Sequence, residues 1–146
     1  MATRYVLIND KNKILRNSEF VNEKDFVKRF PCENLCCNSS AMFRADFLKK
    51  LKFYDKSIDY SYDYYFYLKI FNISKIKLLN KLYTYYRIHN KSRTNNFKKK
   101  NIIKEYIRHL TWSKDNNLIN FSNVLLFYKN LIKCFIKLIL INFKIY

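Results

Sequence analysis

The chain has 146 residues, about one domain's length, and its 49% hydrophobic and 18% aromatic content supplies a core, which excludes wholesale disorder. Gly is absent and Pro occurs once, while Lys, Asn, Ile, Tyr and Phe are plentiful, a bias that reads as AT-rich coding. The net charge of +18 attracts anionic lipid, nucleic acid or phosphorylated substrate, but lysine supplied by codon composition discounts it as a guide to which.

Met1 to Asp10 holds only a short apolar run and no secretory leader, which predicts a cytoplasmic chain. Tyr5-Val6-Leu7-Ile8, then Asn9-Asp10-Lys11-Asn12, then Lys13-Ile14-Leu15 predict strand, turn, strand. Asn22 is placed to cap a helix over Glu23 to Phe30, with Phe26, Val27 and Phe30 on its packed face and Pro31 ending it. Cys32, Cys36, Cys37 and Cys134 include a vicinal pair and lack the spacing of a metal or redox site, so free thiols are expected.

Cys36 to Phe43 is a small-residue segment read as a strand that lies close to a neighbouring backbone or a ligand. Ala45 to Leu51 spaces Phe47, Leu48 and Leu51 as a short amphipathic helix, with Lys49, Lys50 and Lys52 facing water. Phe53 to Tyr62 alternates aromatic with acidic or polar residues and reads as a loop. It delivers Asp63 to the start of a helix whose buried stripe is Tyr64, Tyr67, Leu68 and Phe71.

Lys75 to Leu79 and Leu82 to Ile88 read as two strands separated by Asn80-Lys81, followed by a polar loop from His89 to Asn96. Phe97 to Trp112 places Ile102, Ile103, Tyr106, Ile107 and Leu110 at helical spacing; His109 within it has no acidic or cysteine partner at metal spacing and is given no role. Phe121 to Tyr146 is an amphipathic helix with Lys129, Lys133 and Lys137 on one face. Those lysines oppose membrane spanning, and periodicity alone does not decide whether the apolar face closes the core or meets a membrane surface.

Three motifs stand in order along this chain. They are Ser39-Ser40-Ala41-Met42-Phe43-Arg44, then Tyr62-Asp63-Tyr64-Tyr65-Phe66-Tyr67-Leu68-Lys69, then Tyr86-Arg87-Ile88-His89 with Ser92 beyond. In that order the segment from Tyr5 to Thr94 resembles the acceptor-side, C-terminal half of bacterial family 2 glycosyltransferases of the GT-A fold. The resemblance implies an α/β fold: an incomplete GT-A-like mixed sheet with flanking helices over residues 1–95, followed by amphipathic helices over 96–146.

It also implies that Asp63 is the general base deprotonating an acceptor hydroxyl, with inversion at the anomeric carbon. Arg87 and His89 would contact the donor diphosphate or its metal, and Tyr60 and Tyr62, in the loop, are candidates to stack on the acceptor sugar. Tyr62 stands where the family usually has Glu, and Lys52-Phe53-Tyr54-Asp55 where it commonly has a glycine. By resemblance a nucleotide-binding half with an Asp-x-Asp motif would precede Tyr5. No Asp-x-Asp occurs in this sequence, so Mg²⁺ or Mn²⁺ is expected of a complete enzyme, and this chain alone is expected to hold no cofactor and to bind donor poorly.

The expected partners are therefore a nucleotide sugar, a glycan or lipid-linked acceptor, a donor-domain chain and the anionic inner face of a membrane. Against this stand a non-catalytic remnant or membrane-surface module that keeps the fold, and, ranked last for want of any motif, a nucleic-acid-binding basic protein. For Asp63 itself the plain alternative is a helix N-cap without chemistry.

Overall fold

A computed structural model describes residues 1–51, 54–92 and 97–143. Lys52-Phe53, the end of the resemblance at Thr94, the loop residues 93–96 and the last three residues of the C-terminal segment lie outside the described residues. The molecule is a mixed α/β structure built on a small three-stranded sheet with flanking helices.

The sheet forms where the first 17 residues of the chain meet one later strand. β1 (Ala2–Ile8) turns through Asn9 to Asn12 into β2 (Ile14–Asn17), its antiparallel neighbour. Asn12, at φ 64, takes the left-handed position of that turn, a conformation Asn tolerates better than most residues. On its other side β1 pairs in parallel with β3 (Leu78–Arg87), giving the order β2-β1-β3.

β3 is one strand where two were expected. Thr3 pairs with Leu79 and Arg4 with Leu82, so Asn80 and Lys81 are extra residues in a bulge rather than a turn. Arg4 stitches the bulge: its guanidinium donates to Asn80 Oδ1 at 2.8 Å and to the Ser18 carbonyl at 2.7 Å.

Between β1 and β3 the chain forms α1 (Glu23–Arg29), a 3₁₀ turn at Asn38–Ser40, α2 (Ala45–Lys50) and α3 (Tyr62–Ile73). Asn22 caps α1 by accepting from the Asp25 amide at 2.9 Å; Phe26 and Phe30 are buried and stacked, whereas Val27, expected beside them, is 53% exposed. The expected strand over Cys36 to Phe43 is instead the 3₁₀ turn, which meets the sheet through the bridge Ala41 to Ala2 and a side-chain bond from Ser40. Ser40 Oγ donates to the carbonyls of Thr3 and Cys37, each at 2.9 Å, so side chains satisfy backbone groups that a strand ladder would otherwise have paired.

The core centres on α3. Tyr64, Phe66, Tyr67, Leu68 and Ile70 are all buried there, a broader apolar surface than the stripe read from spacing, with Phe71 partly buried beside them. Tyr64 meets Phe30 edge to face at 5.7 Å and donates its hydroxyl to the Phe30 carbonyl at 2.7 Å. Phe43 stacks on Tyr67 at 5.4 Å. Burying these rings supplies most of the apolar area that holds α1, α2 and α3 together.

α4 (Lys99–Asp115) and α5 (Val124–Asn142) form a hairpin of antiparallel helices, with Lys100 at the start of one bonding Asn142 at the end of the other. Leu110 and Phe127 bury against Cys32, whose carbonyl accepts from Tyr106 of α4 and from Asn130 of α5. Both helices are thus tied to the loop after α1. All four cysteines are free thiols, three of them buried.

Candidate functional site

The entry to α3 is where the backbone is strained. Ser61, the residue before the helix, sits at φ 54 and ψ 32, a left-handed conformation that costs a non-glycine residue about 1–2 kcal/mol. With no glycine anywhere in the sequence, the chain turns this corner on a serine. The corner sets Tyr60 on one side and Tyr62 and Asp63 on the other, all lining one cleft.

Asp63 is the second residue of α3, which opens at Tyr62, one residue ahead of the expected start. Its Oδ1 accepts from the Tyr64 backbone amide at 2.8 Å. Burial pushes the carboxyl above the usual Asp value, and the amides of the helix start only partly offset that. Among the described residues no cation reaches it within ion-pair distance. A half-buried carboxylate of raised pKa at the mouth of a cleft is suited to take a proton from a hydroxyl.

The cleft has a volume of about 460 Å³. Tyr5 and Tyr86 of the sheet form its floor, in edge-to-face contact at 6.0 Å, and Tyr60 packs edge to face on Phe97 at 5.2 Å. The segment from Asn34 to Ser39 forms another wall. There Asn38 Oδ1 accepts from Tyr67 at 2.7 Å and from Tyr54 at 3.4 Å, which fixes the amide against the aromatic core. Burial first, and the Asp63 charge second, push the Tyr54 hydroxyl up; the same carboxylate contributes a smaller upward push at Tyr60.

Three of the five residues picked from the sequence, Asp63, Tyr60 and Tyr62, therefore come together, and two lie elsewhere. Arg87 donates to the carbonyls of Asn9 and Asp10, bracing the turn between β1 and β2. His89 is exposed beyond the end of β3, its backbone amide bonded to Ser92 Oγ at 3.2 Å. Neither lines the cleft. The strand period explains this for Arg87, since successive side chains point to opposite faces and Tyr86 takes the cleft side.

Alternation places Tyr86 on the opposite face of its strand from Arg87, and the pairing of β3 with β1 puts it on the same face as Tyr5. Asp59, a second carboxylate in the lining, had no such signal: its place depends on how the loop folds back at Ser61. For a divalent cation the fit is poor. Mg²⁺ and Mn²⁺ call for several converging oxygen ligands, and among the described residues no three His, Cys, Asp or Glu side chains converge.

No family model, curated protein or solved structure matches this chain. What the cleft does is therefore argued from its own chemistry. It offers flat aromatic faces, two carboxylates and a fixed amide, a combination that suits a polar ligand with hydroxyl groups and apolar C–H faces.

Proposed function

We propose that this chain is the acceptor side of a family 2-like glycosyltransferase, in which a glycan or lipid-linked sugar binds the cleft and Asp63 deprotonates its attacking hydroxyl. The observation that carries the reading is the position of Asp63: a carboxyl of raised pKa, at the start of a buried helix, in the same cleft as Tyr60 and Tyr62. The order of its motifs along the sequence agrees with a GT-A-like arrangement. In this reading the sugar ring lies against the tyrosine faces, the hydroxyl hydrogen-bonds Asp63, and the proton passes to Asp63 as the oxygen attacks the anomeric carbon of a nucleotide sugar, whose bond to the diphosphate oxygen breaks to release the nucleoside diphosphate. One displacement inverts that carbon. Binding of the donor diphosphate and any metal falls to a donor-binding partner or domain, and the reaction belongs to the cytoplasmic side of the membrane.

The test has two stages. A glycan array probed with the purified chain is expected to show binding, and Tyr62→Ala to weaken it by about 2–10-fold, the range for loss of one aromatic contact. Asp63→Asn is expected to leave that binding in place and, with the donor-binding part supplied, to lower transfer by about 10²–10⁴-fold. Absence of any glycan binding sinks the reading. A second reading, glycan binding without turnover, is favoured by Tyr62 standing where the resemblance expects Glu; glycan binding with no transfer by the wild type, the donor-binding part supplied, selects it, whereas full activity in Asp63→Asn removes Asp63 as the base.

A further inference from the structure

α5 carries two apolar faces, and the fold uses one. Phe127 and Cys134 are buried on the side that meets α4. Leu125, Tyr128, Ile132, Phe135, Ile139 and Phe143 follow one another at three or four residues, the spacing of one helical face, and are 51% to 83% exposed. They make a ridge about 27 Å long. Scattered exposed apolar residues are ordinary, but a continuous ridge marks an interaction surface.

The charge beside the ridge says what covers it. Lys129, Lys133 and Lys137 run in a row between the ridge and the side that meets α4, the last two bordering the groove between α4 and α5, and no Asp or Glu follows Asp115 in the sequence. A second copy laid on the ridge would bring two like-charged lysine rows together, between two chains of net charge +18 each. An anionic bilayer surface accepts both features at once: the ridge enters the acyl boundary while the lysine stems reach up to the headgroups. The helix lies in the plane, since no described helix is long and apolar enough to cross a membrane.

We propose that α5 is an in-plane membrane anchor, inserting its Leu125 to Phe143 ridge into an anionic lipid surface while α4 holds its other face to the protein. The anchor is independent of the glycosyltransferase reading, because vesicle binding needs neither donor, acceptor nor turnover.

Flotation of the purified chain tests it. The wild type is expected to float with vesicles of equal parts phosphatidylcholine and phosphatidylglycerol and not with phosphatidylcholine alone. Each of Lys129→Gln, Lys133→Gln and Lys137→Gln is expected to weaken binding by about fivefold at low salt, following the roughly 1 kcal/mol per lysine near an anionic surface. Ile132→Asp is expected to abolish flotation while leaving the circular dichroism spectrum and melting temperature unchanged. Should Ile132→Asp disturb folding, the triple lysine variant, whose ridge is intact, carries the test. Equal binding to both vesicle types, no binding to either, or unimpaired binding by the lysine variants overturns the proposal. So does a concentration-dependent dimer that Ile132→Asp converts to monomer, which would assign the ridge to a second copy.

Discussion

Two buried titratable groups carry the residue-scale physics, and they pull in opposite directions. His109 lies on α4 between the rings of Tyr64 and Tyr65, 1% exposed, and among the described residues neither of its ring nitrogens has a hydrogen-bond partner. Burial, aided by the Arg108 charge beside it, lowers its pKa to about 4. The imidazole is therefore neutral in the fold and protonates first in the unfolded chain. The stability this contributes is complete above the ordinary His value of 6.5 and is lost as pH falls from there toward 4, by roughly 3 kcal/mol. Denaturant titrations across that window are expected to show the loss, and His109→Phe to flatten it.

Asp63 has the opposite sign. Its raised pKa means that the folded state holds the proton more tightly, so its favourable contribution exists at low pH and is gone once the pH rises above the folded value. At neutral pH the fold carries an anion it has partly stripped of water. Asp63→Asn is expected to leave thermal stability unchanged or raise it, even as it removes the base. Ser61 is a second cost at the same place: Ser61→Gly relieves the left-handed strain and is expected to raise stability by about 0.5–1 kcal/mol in an unfolding titration.

At the scale of elements, α3 decides the architecture because nearly its whole circumference is buried. Spacing alone marked a stripe, Tyr64, Tyr67, Leu68 and Phe71; Phe66 and Ile70 are buried as well, because α2 and the segment near Phe43 pack on the side that an amphipathic pattern would leave to water. Tyr64 also links two elements through its bond to the Phe30 carbonyl. Tyr64→Phe keeps the ring packing and leaves that carbonyl without its partner, so a loss of about 1–2 kcal/mol in the same titration is expected. The 3₁₀ turn at Asn38–Ser40 and the bulge at Asn80-Lys81 escaped the sequence for a common reason. Both depend on long-range bonds, Ser40 to Thr3 and Arg4 to Asn80, that no local window contains.

For the molecule as a whole, charge and apolar surface are distributed in a way that composition hides. The +18 net charge looked discountable as codon bias, yet Lys129, Lys133 and Lys137 lie in one row on α5 beside its exposed apolar ridge. The helices α4 and α5, set apart in sequence as an extension, bury Leu110 and Phe127 against Cys32 and add Tyr106 and Trp112 to the edge of the main core.

Local forces alone specify the hairpin at Asn9 to Asn12, the Asn22 cap and three helices. Periodicity places these over Ala45 to Leu51, from Asp63, and over Phe97 to Trp112, and the structure has them at Ala45–Lys50, Tyr62–Ile73 and Lys99–Asp115. Each rests on turn chemistry, capping or periodicity within a few residues. Long-range packing sets the rest: that Tyr60, Tyr62 and Asp63 share a cleft with Asp59, Tyr5 and Tyr86, that Arg87 braces the turn between β1 and β2, and which face of α5 is left uncovered. Those outcomes depend on contacts between residues far apart in the chain, whose register is set by packing around α3 rather than by any local preference.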